Sequence, residues 1–400
     1  MTKLKTAVLS LTALKCFDFL FPLILVPFAI NIIGIEKYGE ISYFQTISLF
    51  MLIIIDFGFN VSGIQKVATC KSEISEKKYI SASVAIKFLL LFFASIIYFV
   101  LCLNSLQGNN ITLVLSFYLV VLSGVFNFQW YYQAKGRYKF ILLVSVLSRI
   151  SSFILFFILV KGEDDVELIA IIFAMMYAMP AWIHLLERIL NASFSMVSFR
   201  YIKLVFYSNW SIFSYRALNS GILPLYVYTL GFILSPAQLG ALGLVQRVLG
   251  ATINFSTPIT QALIPHLARL KKSDGDEYHY SYRKYSLILL VFSLLLLMII
   301  PIFIILLIKY KIISGGIILS DLAYPMLMVL TIVPHIMNSL FSQNLVLLGK
   351  RDLVRNTVIY SIMIAIPLYI SSLFFIPEKI IVVYVVTYYI MMYKLKRGDR

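Results

Sequence analysis

The stretch "ALKCFDFLFPLILVPF" (residues 13–28) reads as a membrane-spanning helix that carries what such helices avoid. Lys15 and Asp18 lie three residues apart within it, and Pro22 and Pro27 interrupt its apolar run. A charged side chain at the centre of a bilayer costs at least ~2.5–3.5 kcal/mol on insertion scales, so intramembrane charges face protein or a wet cavity. A proline removes one helical hydrogen bond and permits a bend. The freed carbonyl is tolerated in the same protected places. The stretch therefore predicts a helix lining a polar interior.

The rest of the chain sets that helix in context. Of 400 residues, 61% are hydrophobic and 13% charged, and the mean hydropathy is +0.92. Soluble chains are roughly 45–50% apolar and about 25% charged. These values exclude an ordinary soluble enzyme and predict an all-α integral membrane protein. The basic N-terminus "MTKLKTAVLSLTALKC" lacks a small-x-small cleavage site, which predicts an uncleaved first helix. Cys16, Cys70 and Cys102 are widely spaced, predicting neither a disulfide framework nor a zinc site. No nucleotide-binding glycine-rich loop is present, and the histidines show no metal-ligand spacing, so no cofactor is expected.

Spans of ~20 residues fall at about 12 places: 10–33, 41–64, 80–103, 111–133, 140–160 and 166–187, then 204–232, 239–263, 285–308, 322–348, 354–376 and 378–393. Alternate connections differ in charge. One set, with both termini, holds 24 of the 34 Lys and Arg residues; the other holds 5. By the positive-inside rule the first set and both termini are cytoplasmic.

A shift of 201 residues lays Gly39 on Gly240, Gln45 on Gln246, Lys15 on Arg216 and Asp18 on Asn219, with Pro22 one residue from Pro224. This predicts two six-helix lobes, 1–200 and 201–400, related by a parallel repeat about an axis along the membrane normal. The opening stretch then occurs twice, the second time as "YRALNSGILPLYVYTL" (215–230).

Five cations lie in spans (Lys15, Lys87, Arg149, Arg216, Arg247) against two anions, Asp18 and Asp56. The excess predicts a central cationic cleft for an anionic substrate carrying phosphate or acidic sugar. Arg149 lies about nine residues from its span end, near mid-membrane at ~1.5 Å per residue. It is a substrate ligand or a structurally paired charge, as are Arg216 and Arg247. Lys15 snorkels, pairs with Asp18 one turn on, or faces the cleft; Lys87 is placed to snorkel or, as a further substrate-binding candidate, to face the cleft. Asp56 either bonds the backbone around Gly58 or, with Asp18, couples transport to a cation. Trp130, Tyr131 and Tyr132, within "FNFQWYYQ" (126–133), form an interfacial aromatic belt or a platform for sugar rings.

"IEKYGEISYFQTISLFMLIIIDFGFNVSGIQKVA" (35–68) resembles the first hairpin of bacterial O-antigen flippases of the Wzx type, through Tyr38-Gly39, Asp56-Phe57-Gly58-Phe59-Asn60 and Ala68. "FQWYYQAKGRYK" (128–139) and "AQLGALGLVQRVLG" (237–250) resemble further segments of that family. These are polysaccharide transporters of the superfamily that includes multidrug exporters and the lipid II flippase. The resemblance implies a multi-pass inner-membrane protein that moves an undecaprenyl-pyrophosphate-linked oligosaccharide to the periplasmic leaflet by alternating access, coupled to a proton or sodium gradient. Implied partners are that lipid-linked oligosaccharide, membrane lipid and other polysaccharide-assembly proteins, with no nucleic acid. A drug antiporter would carry a carboxylate-dominated cavity. A membrane polymerase or ligase would expose a long outer loop of catalytic groups, whereas the longest outer connection here is roughly 309–321, with Asp321 its sole carboxylate.

Overall fold

The computed structural model describes residues 2–70, 72–103, 110–191, 194–273, 275–313, 315–375 and 379–399; within its helices several side chains, including those of 14–16 and 215–222, lie outside the described set. The described residues form helices without a β-strand. Eight helical segments among them are long and apolar enough to cross a membrane, and the first of these, Leu20–Ala68, covers two expected spans. The chain divides into two compact units, Met1–Phe21 with Ile32–Phe232, and Pro22–Asn31 with Ile233–Arg400.

The first unit begins with α1 (Thr2–Asp56), in which Gly34 alone leaves helical geometry, at φ 81° and ψ 163°. This φ favours glycine, the residue without a Cβ. The proline pattern leads one to expect a break at Pro22 or Pro27; instead the helix runs through both, and the single glycine separates the two spans. The prolines act more locally. Pro22 has no N–H to give the carbonyl of Asp18 four residues earlier. Segment 22–31, which the two prolines punctuate, is the part of α1 that belongs with the second unit.

Two of the expected spans break before they end. After Asp56 the chain turns through Phe57 (φ 49°) and Gly58 (φ 81°) into the short α2 (Phe59–Ala68). The next helices are α3 (Glu73–Leu103) and α4 (Ile111–Ser123), and after α4 a 3-10 turn at Gly124–Phe126 leads into the short α5 (Gln129–Ala134). Asn127 Oδ1 accepts from the Gln129 N–H at 3.1 Å, a local bond that competes with continued helix. The short helices α2 and α5 pack on each other. Then come α6 (Tyr138–Leu159), α7 (Val166–Leu190) and α8 (Phe199–Leu230), with α7 against α4 and α6, and α8 against α3. Before α7, Asp165 accepts from the Lys161 and Gly162 N–H groups at 2.7 and 3.0 Å, bonds that hold its carboxyl below the usual carboxylate range.

Phe57 in a left-handed conformation is costly for an aromatic residue, and its surroundings explain its persistence. Its ring is fully buried and lies 4.6 Å from those of both Phe206 and Phe213 on α8. Where α2 meets α5, a Cβ on Gly63 would stand 2.5 Å from Trp130 Cε3, and that indole is hemmed in by Phe59 and Tyr79 at 6.1 and 6.0 Å. Gly63→Ala should therefore lower stability by ~1–3 kcal/mol through overpacking. Thermal unfolding of the detergent-solubilised variant measures this, and an unchanged midpoint would mean the indole can tilt away.

The second unit holds α9 (Pro236–Ser273), α10 (Gly275–Lys309), α11 (Leu319–Ala323), a 3-10 segment (Pro325–Thr331), α12 (Ile332–Leu347), α13 (Arg351–Phe375) and α14 (Ile380–Asp399). The start of α9 follows from "SPAQ": Ser235 Oγ accepts from the Gln238 N–H at 3.2 Å and Gln238 Oε1 from the Ser235 N–H at 3.1 Å, with Pro236 between. α12 packs against α9, α10 and α14, and α14 also against α13. Segment 22–31 is tied to this unit by Asn31 Nδ2, which donates to the Ile312 carbonyl at 2.7 Å. Helices α8, α9 and α14 lie at expected span positions without being among the eight apolar segments.

Candidate functional site

Asp18 on α1 and Arg149 on α6 meet inside the first unit, Arg149 Nη2 standing 2.5 Å from Asp18 Oδ1. Arg149 Nη1 also donates to the Ser145 carbonyl at 2.9 Å, which holds the guanidinium against its own helix. The Arg149 side chain is 9% exposed and that of Asp18 30%, so the pair opens on the carboxylate side. Phe21, one residue before Pro22, meets Phe153 edge-on at 5.9 Å one turn beyond Arg149. Asp18 thus takes a partner 131 positions away; the pairing with Lys15 one turn off, which the sequence offers, falls outside the described residues. Lys15 and Arg216, as side chains, lie outside the described residues. An arginine held by one carboxylate, with donors to spare, matches the planar, bidentate demand of a phosphate.

The other charges are placed differently. Lys87 does not snorkel: it is fully buried, and its Nζ donates to the Asn127 carbonyl at 3.0 Å and the Gly124 carbonyl at 3.4 Å. Those acceptors flank the break after α4, where the helical ladder leaves carbonyls free. Asp56, the last residue of α1, interacts electrostatically with Lys87. Arg247 sits half-buried on α9 of the second unit, beside Gln246.

Trp130, Tyr131 and Tyr132 are core, not a platform: Trp130 and Tyr132 are fully buried and Tyr131 is 7% exposed. They pack with Phe57, Phe59, Tyr79 and Phe128. The two tyrosines anchor an ionic network. Tyr131 Oη donates to Glu76 Oε1 at 2.8 Å, and Glu76 Oε2 pairs with Lys135 at 2.5 Å. Tyr132 Oη donates to Glu187 Oε2 at 2.7 Å, while Arg137 pairs with Glu187 Oε1 at 2.6 Å. Arg188 also pairs with Glu187, and its guanidinium lies 4.0 Å over the Tyr131 ring. The network joins the ends of α3, α5 and α7.

The comparisons with known proteins bear on what these groups serve. A family model described as "Polysaccharide biosynthesis protein" matches residues 4–271, more than half of the chain. The chain belongs to the polysaccharide biosynthesis protein family. This family member is 23% identical over 299 residues to a protein of Shigella dysenteriae named "Putative O-antigen transporter", covering 72% of this chain and 73% of that one. A protein of the same name from Escherichia coli (strain K12) is 24% identical over 292 residues, covering 66% of this chain and 65% of the other. Its fold is that of two solved transporters. The eukaryotic MATE transporter AtDTX14 matches with a TM-score of 0.55 at 10% identity, over 99% of this chain and 94% of that one. The Vibrio cholerae MATE transporter VcmN in its bent form matches with a TM-score of 0.55 at 13% identity, over 100% and 97%.

In this polysaccharide biosynthesis protein, the residues that sequence reasoning passes over are Glu76, Glu187 and Arg188. They fall at span ends, where charges are ordinary. The one available signal is the alternation of tyrosines and cations in "YYQAKGRYK", which asks for buried acids as partners.

Proposed function

We propose that this protein is a flippase that carries an undecaprenyl-pyrophosphate-linked O-antigen repeat unit from the cytoplasmic to the periplasmic leaflet of the inner membrane. Family and relatives make it a polysaccharide transporter rather than an enzyme. The observation that carries the finer reading is the Arg149–Asp18 pair, its arginine buried and its carboxylate partly exposed. Arg149 alternates between two anions, the Asp18 carboxylate and a substrate phosphate. Protonation of Asp18 releases the guanidinium to grip the pyrophosphate; departure of the substrate and loss of the proton restore the pair. One residue thereby links substrate movement to a cation gradient. Asp56, beside Lys87, is the second candidate for that coupling. Twelve spans in two repeat-related lobes, a cationic cleft to which Lys15, Arg216 and Arg247 contribute, and alternating access complete the proposal.

Complementation tests it. Expressed in flippase-null strains that assemble different repeat units, the chain should restore surface polysaccharide in at least one; failure in all of them, with the protein inserted, would remove the substrate assignment. Topology is tested separately, from the 24-to-5 division of basic residues. Alkaline phosphatase fused after Gly108, Asp165 or Ser320 should be active, and fused after Lys78, Lys272 or Arg351 inactive. A reversed pattern at two of these sites would overturn the cytoplasmic placement of the termini.

A further inference from the structure

At one end of the second unit, α13 begins and α14 finishes around a cavity of about 520 Å³, lined by Leu353, Asn356, Thr357, Lys394, Arg397 and Gly398. Among the described side chains the lining contains two cations, two neutral polar groups and no acid. The nearby Asp352 is engaged elsewhere, by Arg355 at 3.2 Å. Lys394 and Arg397 are three residues apart on α14 and so share a face. The walls are fixed at two points. Lys350 Nζ donates to the Gly398 carbonyl at 2.9 Å, and Gly398 packs so closely on α13 that a Cβ there would stand 2.5 Å from Leu353 Cδ2. Lys394 Nζ rests over the Tyr360 ring, which orients the ammonium. The apolar segment Asp352–Ser372 starts at this level, so the cavity sits where a membrane gives way to water.

We propose that this cavity is a binding site for an anionic phospholipid headgroup: the phosphate lies between Lys394 and Arg397, Asn356 and Thr357 supply neutral hydrogen bonds, and the acyl chains leave along α13. Basic pockets between membrane helices take such headgroups through the same chemistry. The assignment is independent of the flippase reading, because it concerns lipid retention rather than transport.

The test uses the purified chain in neutral detergent, titrated with phosphatidylglycerol, phosphatidylcholine or inorganic phosphate, and read by native mass spectrometry and thermal unfolding. Phosphatidylglycerol should bind and raise the unfolding midpoint, and phosphatidylcholine should not. Lys394→Gln with Arg397→Gln should weaken phosphatidylglycerol binding roughly tenfold or more, at about 1 kcal/mol per cation near a membrane surface. Lys77→Gln with Lys78→Gln, which removes the same charge elsewhere, should leave binding unchanged. Asn356→Glu, at an exposed position that should fold normally, should weaken binding as the double variant does. Equal binding in parent and both cavity variants would overturn the site, as would an equal loss in the Lys77/Lys78 control. A stabilisation by inorganic phosphate that depends on Lys394 and Arg397, without one by phosphatidylglycerol, would make the ligand a soluble phosphate and overturn the lipid assignment.

Discussion

Arg149→Ala should lower transport per inserted molecule by roughly 10- to 100-fold, the worth of a charge-assisted bond of about 1.5–3 kcal/mol. Arg149→Lys should retain part of the activity, since an ammonium keeps the charge but loses the paired geometry. A purely structural role for the ion pair also predicts loss, so single variants do not separate the readings. The double variant Arg149→Gln with Asp18→Asn does. It leaves neither charge unpaired and should insert at parental levels, while Asp18→Asn alone strands a guanidinium that is 9% exposed and should reduce the amount inserted. If Arg149 grips substrate, the double variant inserts but does not transport. If the double variant transports as well as the parent, the pair is a strut and the substrate is bound elsewhere. Transport per inserted molecule across a range of external pH should flatten in Asp18→Asn, which keeps the guanidinium of Arg149 but has lost the exchangeable proton.

Glu187→Gln should lower stability by about 3–5 kcal/mol, the range for removing one partner of a buried pair. Glu187 accepts from Tyr132, Arg137 and Arg188. The Arg188 side chain is 5% exposed and has no water to turn to, whereas Arg137 at 44% can swing outward. Glu76→Gln should cost much less, because its cation, Lys135, is 37% exposed. Fluorescence-detected gel filtration after heating reports both midpoints. Similar midpoints for Glu187→Gln and the parent would mean that the cation–π contact between Arg188 and Tyr131 suffices alone.

These expectations depend on features that are unequally legible in the sequence. Helix positions are legible because apolar runs of membrane length are set by the solvent they cross. The depth of Arg149 follows from the same arithmetic. Its partner does not, because spacing along the chain favours Lys15 for Asp18 and carries no information about a helix that arrives 131 residues later. The prolines mislead in another way. Proline lacks one N–H, which a membrane helix can tolerate, while Gly34 adopts a backbone angle that interrupts the helix outright. "FNFQWYYQ" is ambiguous between belt, platform and core because aromatic rings suit all three; the acids Glu76 and Glu187, buried and half-buried, decide it, and they come from α3 and α7. Depth along its helix points Lys87 to the membrane surface, and only the tertiary fold brings the Gly124 and Asn127 carbonyls to it.

That Lys87 contact has a consequence for how the protein is made. The lysine leaves the ribosome 37 residues ahead of Gly124 and 40 ahead of Asn127. At ~5–20 residues per second, α3 waits some seconds before the acceptors of its charge exist. During that interval the lysine bears an insertion penalty of at least ~2.5 kcal/mol, which the many Leu, Ile, Phe and Val residues of α3, at about −0.3 to −0.6 kcal/mol each, outweigh. A helix of this kind enters lipid with its ammonium reaching toward the surface. The inward contact to the Gly124 and Asn127 carbonyls is therefore a late bond, open to Lys87 only after α4 and the turn behind it have followed.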